Sequence, residues 1–352
     1  MIYIVDLESV ETRYTCEWKT HVPKLLKGEK LEYTVIDGVD DIPEATTPGA
    51  FLNFGGTNVY KAAQIQKIGR LFCEGAVKDG DHFLFTDAWH PGVINVKYMA
   101  ELLGIKVKLH GLWHAGSYDP QDFLGRLIGD KPWVRHAEKS FYDCFDHNYF
   151  ATDFHIAMFM MNLFEMKTVR GADFNGKVVR TGWPMEYISK LKKLRKVEKE
   201  NIVLFPHRIA PEKQPEIFRD LAKEFPDYKF IICQEKKLTK DEYHELLGKA
   251  KMVFSCSLQE TLGISVPEGM MAGALGMVPN RLSYSEMYDV EQMYPSEWTK
   301  NWATYQHNKS KLVSTIRERL DNYETQREYG DKSIERIHKD FFSFDNAIKM
   351  LK

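Results

Sequence analysis

No two cysteines in this chain are spaced as Cys-x-x-Cys. Its five cysteines, Cys16, Cys73, Cys144, Cys233 and Cys256, are odd in number and scattered over 352 residues. That pattern argues against a zinc knuckle or a disulfide framework and for a reducing, cytoplasmic setting. Apolar runs are short. The longest, residues 154–164, is about half the length a bilayer needs and contains His155 and Asn162, so it reads as a buried helix, and no integral membrane segment is expected. Met1 is followed by neither a basic leader nor a small-residue cleavage site, so no secretory signal is expected, and the Asn308-Lys-Ser310 sequon carries no meaning without one. There is no Walker loop and no Gly-x-Gly-x-x-Gly, which disfavours an NTPase or an ordinary dehydrogenase. Neither sign of charge dominates: 48 Lys and Arg against 50 Asp and Glu leave a net charge of −2, so a nucleic acid or anionic membrane would have to be met by a local patch.

What is present is ample core material, 43% hydrophobic and 13% aromatic, in a length that at roughly 100–200 residues per domain suggests two domains. Short β-branched and aromatic runs at 2–5, 33–36, 51–54, 82–85 and 106–109 alternate with helical patterns through 59–72 and 93–103. That alternation predicts a parallel sheet with crossover helices. It continues loosely to 177–180 and is interrupted by the charge-rich stretch 189–200, where a boundary is placed: an N-terminal domain over 1–187 and a C-terminal domain over 188–352. Strands are expected again at 202–205, 229–233 and 251–255, with an intervening helix presenting Ile217, Phe218, Leu221 and Phe225 on one face. Helices at 312–320, 329–337 and 344–351 form a tail, the last either staying with the C-terminal domain or crossing back to the N-terminal one. The fold class is α/β, two doubly wound Rossmann-like domains with C-terminal helices. In such sheets ligands bind beyond the carboxyl ends of the strands, so a site is expected where the two domains' strand ends face each other across a cleft.

The richest segment runs from Ser255 to Pro279. It leaves a strand, passes a Gly-containing turn and enters a helix with Pro267 in its first turn. Glu260 falls in the loop and Glu268 just inside the helix, while the N–H groups of Gly263, Ile264 and Ser265 stand at the positive end of the helix dipole. A phosphate suits those N–H groups, and each carboxylate can accept two hydrogen bonds from a vicinal diol. The alternative is that Glu268 only caps the helix and Glu260 is solvated. Upstream, Arg208 and Lys213 follow another strand and reach the same sheet edge, a planar fork and a point charge able to neutralise a departing diphosphate.

Arg208-x4-Lys213, Glu260-x7-Glu268 and the following Gly-Met-Met-Ala-Gly-Ala-Leu-Gly stretch together resemble retaining glycosyltransferases of the GT-B fold, particularly the family 4 group that includes glycogen-synthase-like enzymes. The C-terminal half matches in order and spacing, the N-terminal half only in architecture. The resemblance implies a metal-independent, retaining transferase with no required cofactor and a nucleotide-sugar co-substrate, a UDP-sugar above all. It places Arg208 and Lys213 on the diphosphate, Glu268 on the ribose diol, Glu260 at the sugar hydroxyls and Gln234 at the nucleobase. His207 stands where such enzymes usually have Gly, and Gln259-Glu-Thr-Leu-Gly departs from the usual Glu-Gly/Pro-Phe-Gly character.

The N-terminal half is expected to hold the acceptor. Arg13, Tyr14, Asp87, Trp89, His90 and His114 follow predicted strands, and Gly55-Gly56 would let a backbone approach a donor phosphate or simply form a tight turn. His114 is singled out by analogy with a cleft-edge histidine of similar enzymes, as a sugar or acceptor contact. Asp79-Gly-Asp81 formally matches a metal-binding Asp-x-Asp but reads as a turn, and no catalytic metal is expected. The basic run 190–199 could touch nucleic-acid phosphates or be a solvated surface. In general character the chain is similar to phage-encoded enzymes that glycosylate hydroxymethylated bases in DNA, which implies a hydroxymethylated pyrimidine, flipped from the duplex, as acceptor. The competing readings are a GT-B-fold epimerase or phosphorylase and a noncatalytic glycan- or DNA-binding protein. The sequence does not specify the oligomeric state.

Overall fold

The computed structural model describes residues 1–8, 14–39, 41 and 53–352. It forms two compact units, Met1–Met185 with Phe344–Lys352, and Glu186–Ser343.

The first unit runs β1 (Ile2–Val5), α1 (Tyr14–Gly28), β2 (Tyr33–Ile36), α2 (Phe54–Cys73), β3 (His82–Phe85), α3 (Gly92–Leu103), β4 (Lys108–Leu112), α4 (Phe123–Ile128), α5 (Pro132–Cys144), β5 (His147–Phe150), α6 (Asp153–Phe164) and β6 (Val178–Arg180). Its six strands pair in the order β2-β1-β3-β4-β5-β6, and every pairing is parallel. Both faces of such a sheet are covered, which is why its strands are apolar runs rather than alternations. Tyr3, Val5, Phe83, Phe85, Leu109 and Phe150 enter one core with residues of α2, α3, α5 and α6. Gly111 in β4 is required by that core, since a Cβ there would stand 2.5 Å from the Phe145 ring. On the opposite face His110 is fully buried, with its Nε2 2.9 Å from His82 Nδ1 and its Nδ1 2.6 Å from Tyr149 Oη. The Phe344 ring meets Tyr149 edge-on.

The expected strand at 51–54 is corrected. Residues 51 and 52 lie outside the described residues, and Phe54 opens α2, capped by the Asn53 side chain accepting from Gly56 N–H at 2.8 Å. Gly55 and Gly56 therefore occupy a helical first turn, not a loop after a strand. Strand β5 and helix α1 were not anticipated.

The second unit begins with a stretch of 3₁₀ turns over Glu186–Lys196, then β7 (Glu200–Phe205), α7 (Pro215–Leu221), β8 (Lys229–Ile232), α8 (Lys240–Lys249), β9 (Ala250–Phe254), α9 (Ser265–Met271), β10 (Leu275–Pro279), α10 (Tyr284–Met287), β11 (Met293–Tyr294), α11 (Trp302–Asp321) and α12 (Tyr323–Phe341); α13 (Asp345–Met350) belongs to the first unit. The strand order is β11-β10-β9-β7-β8, again parallel throughout. In the 3₁₀ stretch side chains three apart eclipse. Ile188 and Leu191 are buried, Lys192 and Arg195 pair with Glu335 and Asp331 of α12, and Lys190, Lys193 and Lys196 form a solvated edge. The glycines after Glu268 serve close packing. A Cβ on Gly269 would lie 2.2 Å from Val253, and one on Gly276 2.6 Å from Met270 Sδ, while Gly273 turns the chain at φ +91°.

Candidate functional site

In the second unit the loops leaving β7 and β9 meet at the carboxyl edge of the sheet. After β7 the chain passes His207 and Arg208 into a single 3₁₀ turn, Pro211–Lys213, which delivers the Lys213 side chain inward. Its ammonium donates to Ser257 Oγ at 3.0 Å, to the Gln259 carbonyl and to Glu260 Oε1 at 2.7 Å. Leu258 N–H donates to the Glu212 carbonyl at 2.7 Å and so ties the two loops together. The same Glu260 oxygen stands 3.5 Å from His207 Nδ1. His207 is buried, and burial holds its imidazole down to about 4 despite Glu260, so it is neutral at neutral pH.

Arg208 turns to Glu212, one helical turn on. Its Nε and one terminal nitrogen donate to Glu212 Oε1, at 3.1 and 2.5 Å, and the Glu212 carboxylate is fully buried. Each cation thus arrives with its own carboxylate: Arg208 and Lys213 are balanced by Glu212 and Glu260. Glu212, Ser257 and Gln259 were not nominated from the sequence; the Arg208–Glu212 spacing of four was the available signal.

Glu268 lies in the first turn of α9, and Tyr243 of α8 donates to its Oε2 at 3.2 Å. Burial raises the Glu268 carboxyl to about 7, with Tyr243 and then Lys240 acting in the opposite direction. Gly263 takes φ +80° above the Tyr284 ring, where a Cβ would stand 2.8 Å from that ring, and Ile264 and Ser265 open the helix. Gln234, exposed after β8, accepts from Ile209 N–H and so braces the Arg208 loop.

In the first unit the nominated residues bind one another and their own loops. Arg13 lies outside the described residues. Lys61 donates to Asp87 Oδ2 at 2.9 Å and to the Trp89 carbonyl at 2.6 Å; against the upward pull of burial, Lys61 and then His114 hold Asp87 down to about 2. Trp89 Nε1 donates to Glu138, and buried His90 uses one ring nitrogen on Gln64 and the other on Gly92 N–H. His114 Nδ1 lies 2.7 Å from Tyr14 Oη and its Nε2 donates to the Thr86 carbonyl at 2.7 Å, with the ring packed among Tyr14, Trp18 and Trp183. His90 and His114, expected as acceptor contacts, each have protein partners at both ring nitrogens. Asp81 accepts from Lys78 N–H and closes a turn, and Asp79 accepts from Lys106 N–H ahead of β4. Among the described residues no group of three or more His, Cys, Asp or Glu could hold a metal ion, and no helix is long and apolar enough to cross a membrane.

No family model and no curated protein matches this chain. Solved structures do. A sucrose-phosphate synthase from Thermosynechococcus elongatus superposes with a TM-score of 0.64 at 12% identity, covering 99% of this chain and 96% of that one. The fold is GT-B. HepE from Anabaena, solved with UDP and glucose, gives a TM-score of 0.58 at 12% identity over 99% of this chain and 97% of its own. S. aureus TarM gives 0.51 at 16% identity over 82% of this chain, which spans only 57% of TarM. At these identities the GT-B likeness is one of fold.

Proposed function

We propose that this protein is a glycosyltransferase that takes a sugar from a nucleoside diphosphate donor, a UDP-sugar, and passes it with retention to an acceptor hydroxyl. The observation that carries this reading is the Lys213–Glu260 pair at the carboxyl edge of the second unit's sheet, with Arg208, His207 and the start of α9 around it. HepE, of the same fold, was solved with UDP and glucose.

In this reading Arg208 and Lys213 take the donor's diphosphate as negative charge develops on it, supplying the charge stabilisation that lowers the barrier, without a resident metal. Their carboxylate partners hold the two cations in place until the donor arrives, and Glu260, released from Lys213, accepts hydroxyls of the transferred sugar. The N–H groups of Gly263, Ile264 and Ser265 add to the phosphate's surroundings, Glu268 accepts the ribose diol and Gln234 borders the base. The first unit supplies the acceptor residues: Arg13, Tyr14, Asp87, Trp89 and His114, with His114 as a polarised, fixed contact rather than a free base. The acceptor in this proposal is a hydroxymethylated pyrimidine in DNA, modified in the cytoplasm.

The test is nucleoside diphosphate release from UDP-, GDP- and ADP-sugars, each with and without DNA containing hydroxymethylcytosine or hydroxymethyluracil. Release from a UDP-sugar stimulated by modified DNA supports donor and acceptor together. Release indifferent to DNA overturns the acceptor, and an epimerised or phosphorolysed product overturns transfer. No release from any donor overturns the enzyme reading.

A further inference from the structure

We propose that Tyr243 is a positioning residue for the donor nucleotide: its hydroxyl holds Oε2 of Glu268 so that Oε1 is presented to the ribose diol. The inference rests on the reading of the second unit as a nucleotide-sugar site and adds a residue on a different helix that no motif contains.

Tyr243 is well placed to act on Glu268. Helix α8 is started by a reciprocal cap in which Thr239 and Glu242 bond each other's backbone and side chain, and Tyr243 N–H donates to the Thr239 carbonyl at 2.9 Å. The tyrosine thus sits in the best-anchored turn of α8, and its hydroxyl reaches Glu268 Oε2 at 3.2 Å. Oε1 has no hydrogen-bond partner among the described residues. A glutamate's terminal torsion is broad and roughly two-fold, so a carboxylate with no fixed partner samples many orientations and loses freedom when a diol binds. Tyr243 removes that freedom beforehand.

The hydroxyl also acts on charge. Burial drives the Glu268 carboxyl up to about 7, and the bond from Tyr243 is the largest influence in the other direction. The remaining cations near α9 are engaged elsewhere or set apart. Lys240 of α8 faces Glu268, whereas Arg195 and Lys199 donate to the Met271 and Ala272 carbonyls at the far end of the helix, and Arg327 of α12 donates to the Arg195 carbonyl. A diol donates two hydrogen bonds and so favours the ionised carboxylate that Tyr243 helps to maintain.

The experiment titrates UDP, GDP and ADP, and their 2′-deoxy counterparts, into the full chain and its Tyr243→Phe and Glu268→Gln variants from pH 6 to pH 8.5. The wild type is expected to prefer one ribonucleotide over its 2′-deoxy form by about tenfold, a preference that grows as pH rises through 7. Glu268→Gln abolishes the preference and its pH dependence. Tyr243→Phe, which keeps the ring, cuts the preference at least about threefold, moves its pH midpoint upward and raises the donor KM more than it lowers kcat. If Glu268→Gln loses the preference while Tyr243→Phe keeps it at every pH, the positioning proposal fails and the donor-site reading stands. If no nucleotide binds the wild type, or ribo and 2′-deoxy forms bind alike, the donor-site reading itself fails and takes this proposal with it.

Discussion

Lys213 and Glu260 come from loops after different strands, yet their charged atoms meet at 2.7 Å with both side chains largely buried. Taking both groups out of water is costly, and breaking one half of such a pair costs about 3–5 kcal/mol because the other charge is left buried. Lys213→Ala is therefore expected to lower stability by about that amount and turnover by orders of magnitude. The double variant Lys213→Ala/Glu260→Gln separates the two effects: its urea midpoint recovers while donor turnover does not. Recovery of turnover would remove Lys213 from the catalytic account. Arg208→Ala with Glu212→Gln behaves in the same way.

Gly269 lets α9 lie against β9. Gly269→Ala forces a methyl to within 2.2 Å of Val253 Cγ2, on a strand with no room to retreat. Overpacking of this kind costs about 1–3 kcal/mol, and because α9 carries Glu268, nucleotide affinity is expected to fall as well. A variant with wild-type melting and affinity would show that the helix can shift freely.

Glu138 is fully buried and receives Trp89 Nε1 at 3.0 Å, Ser117 N–H at 2.7 Å and Ser117 Oγ at 2.6 Å. Burial raises its carboxyl despite those donors. Glu138→Ala leaves three donors unpaired and is expected to cost at least about 3 kcal/mol, whereas Glu138→Gln, which keeps an acceptor oxygen, costs less. Chemical denaturation of both variants checks the order.

Buried neutral histidines set the acid limit. His90 and His155 are held at about 3 and His207 at about 4 by burial, and His110 lies well below its ordinary value for the same reason. Because these folded values are depressed, the unfolded chain takes up protons near 6.5 that the folded chain refuses, and stability falls as pH drops below 6.5. Asp6, raised to about 6, and Glu268, raised to about 7, work the other way, since the folded chain gains their protons first. Between pH 6.5 and 5.5 the four histidines outweigh the two carboxyls, so unfolding takes up protons and stability falls with acid. Urea midpoints at pH 7.5, 6.5 and 5.5 measure it; a flat profile would contradict the buried neutral assignment.

Much of this was legible from residue order because parallel strands buried on both faces must be apolar runs: Ile2–Val5, His82–Phe85 and the run ending at Phe205 stand out for that reason. Strand β5 was hidden by His147 and Asn148, polar residues that the folded chain satisfies with groups far away in sequence, Trp113 Nε1 donating to buried Asn148 and half-buried His147 bonding the Gly176 carbonyl. Helix α1 was obscured by Pro23 in its interior, and Gly55-Gly56 read as a loop although Asn53 caps them into a helix. In the site, spacing pointed to Arg208, Lys213, Glu260 and Glu268. It did not show that Glu212 neutralises Arg208 or that Tyr243 reaches Glu268, because those partnerships depend on a buried carboxylate and on two helices brought side by side. Likewise the order of residues points to His114 as a sugar or acceptor contact but does not show that Tyr14 and Thr86 bond its two nitrogens.

In the proposed reading the Arg208–Lys213–Glu260 cluster receives the diphosphate of a nucleotide. Calorimetric titration of UDP and UMP into the wild type and Lys213→Ala tests it most directly, because the two ligands differ only in the phosphate that Lys213 is assigned to hold. A wild-type preference for UDP of at least about tenfold, lost in the variant, is expected. Equal affinity for UDP and UMP in the wild type, or an undiminished preference in Lys213→Ala, would contradict it.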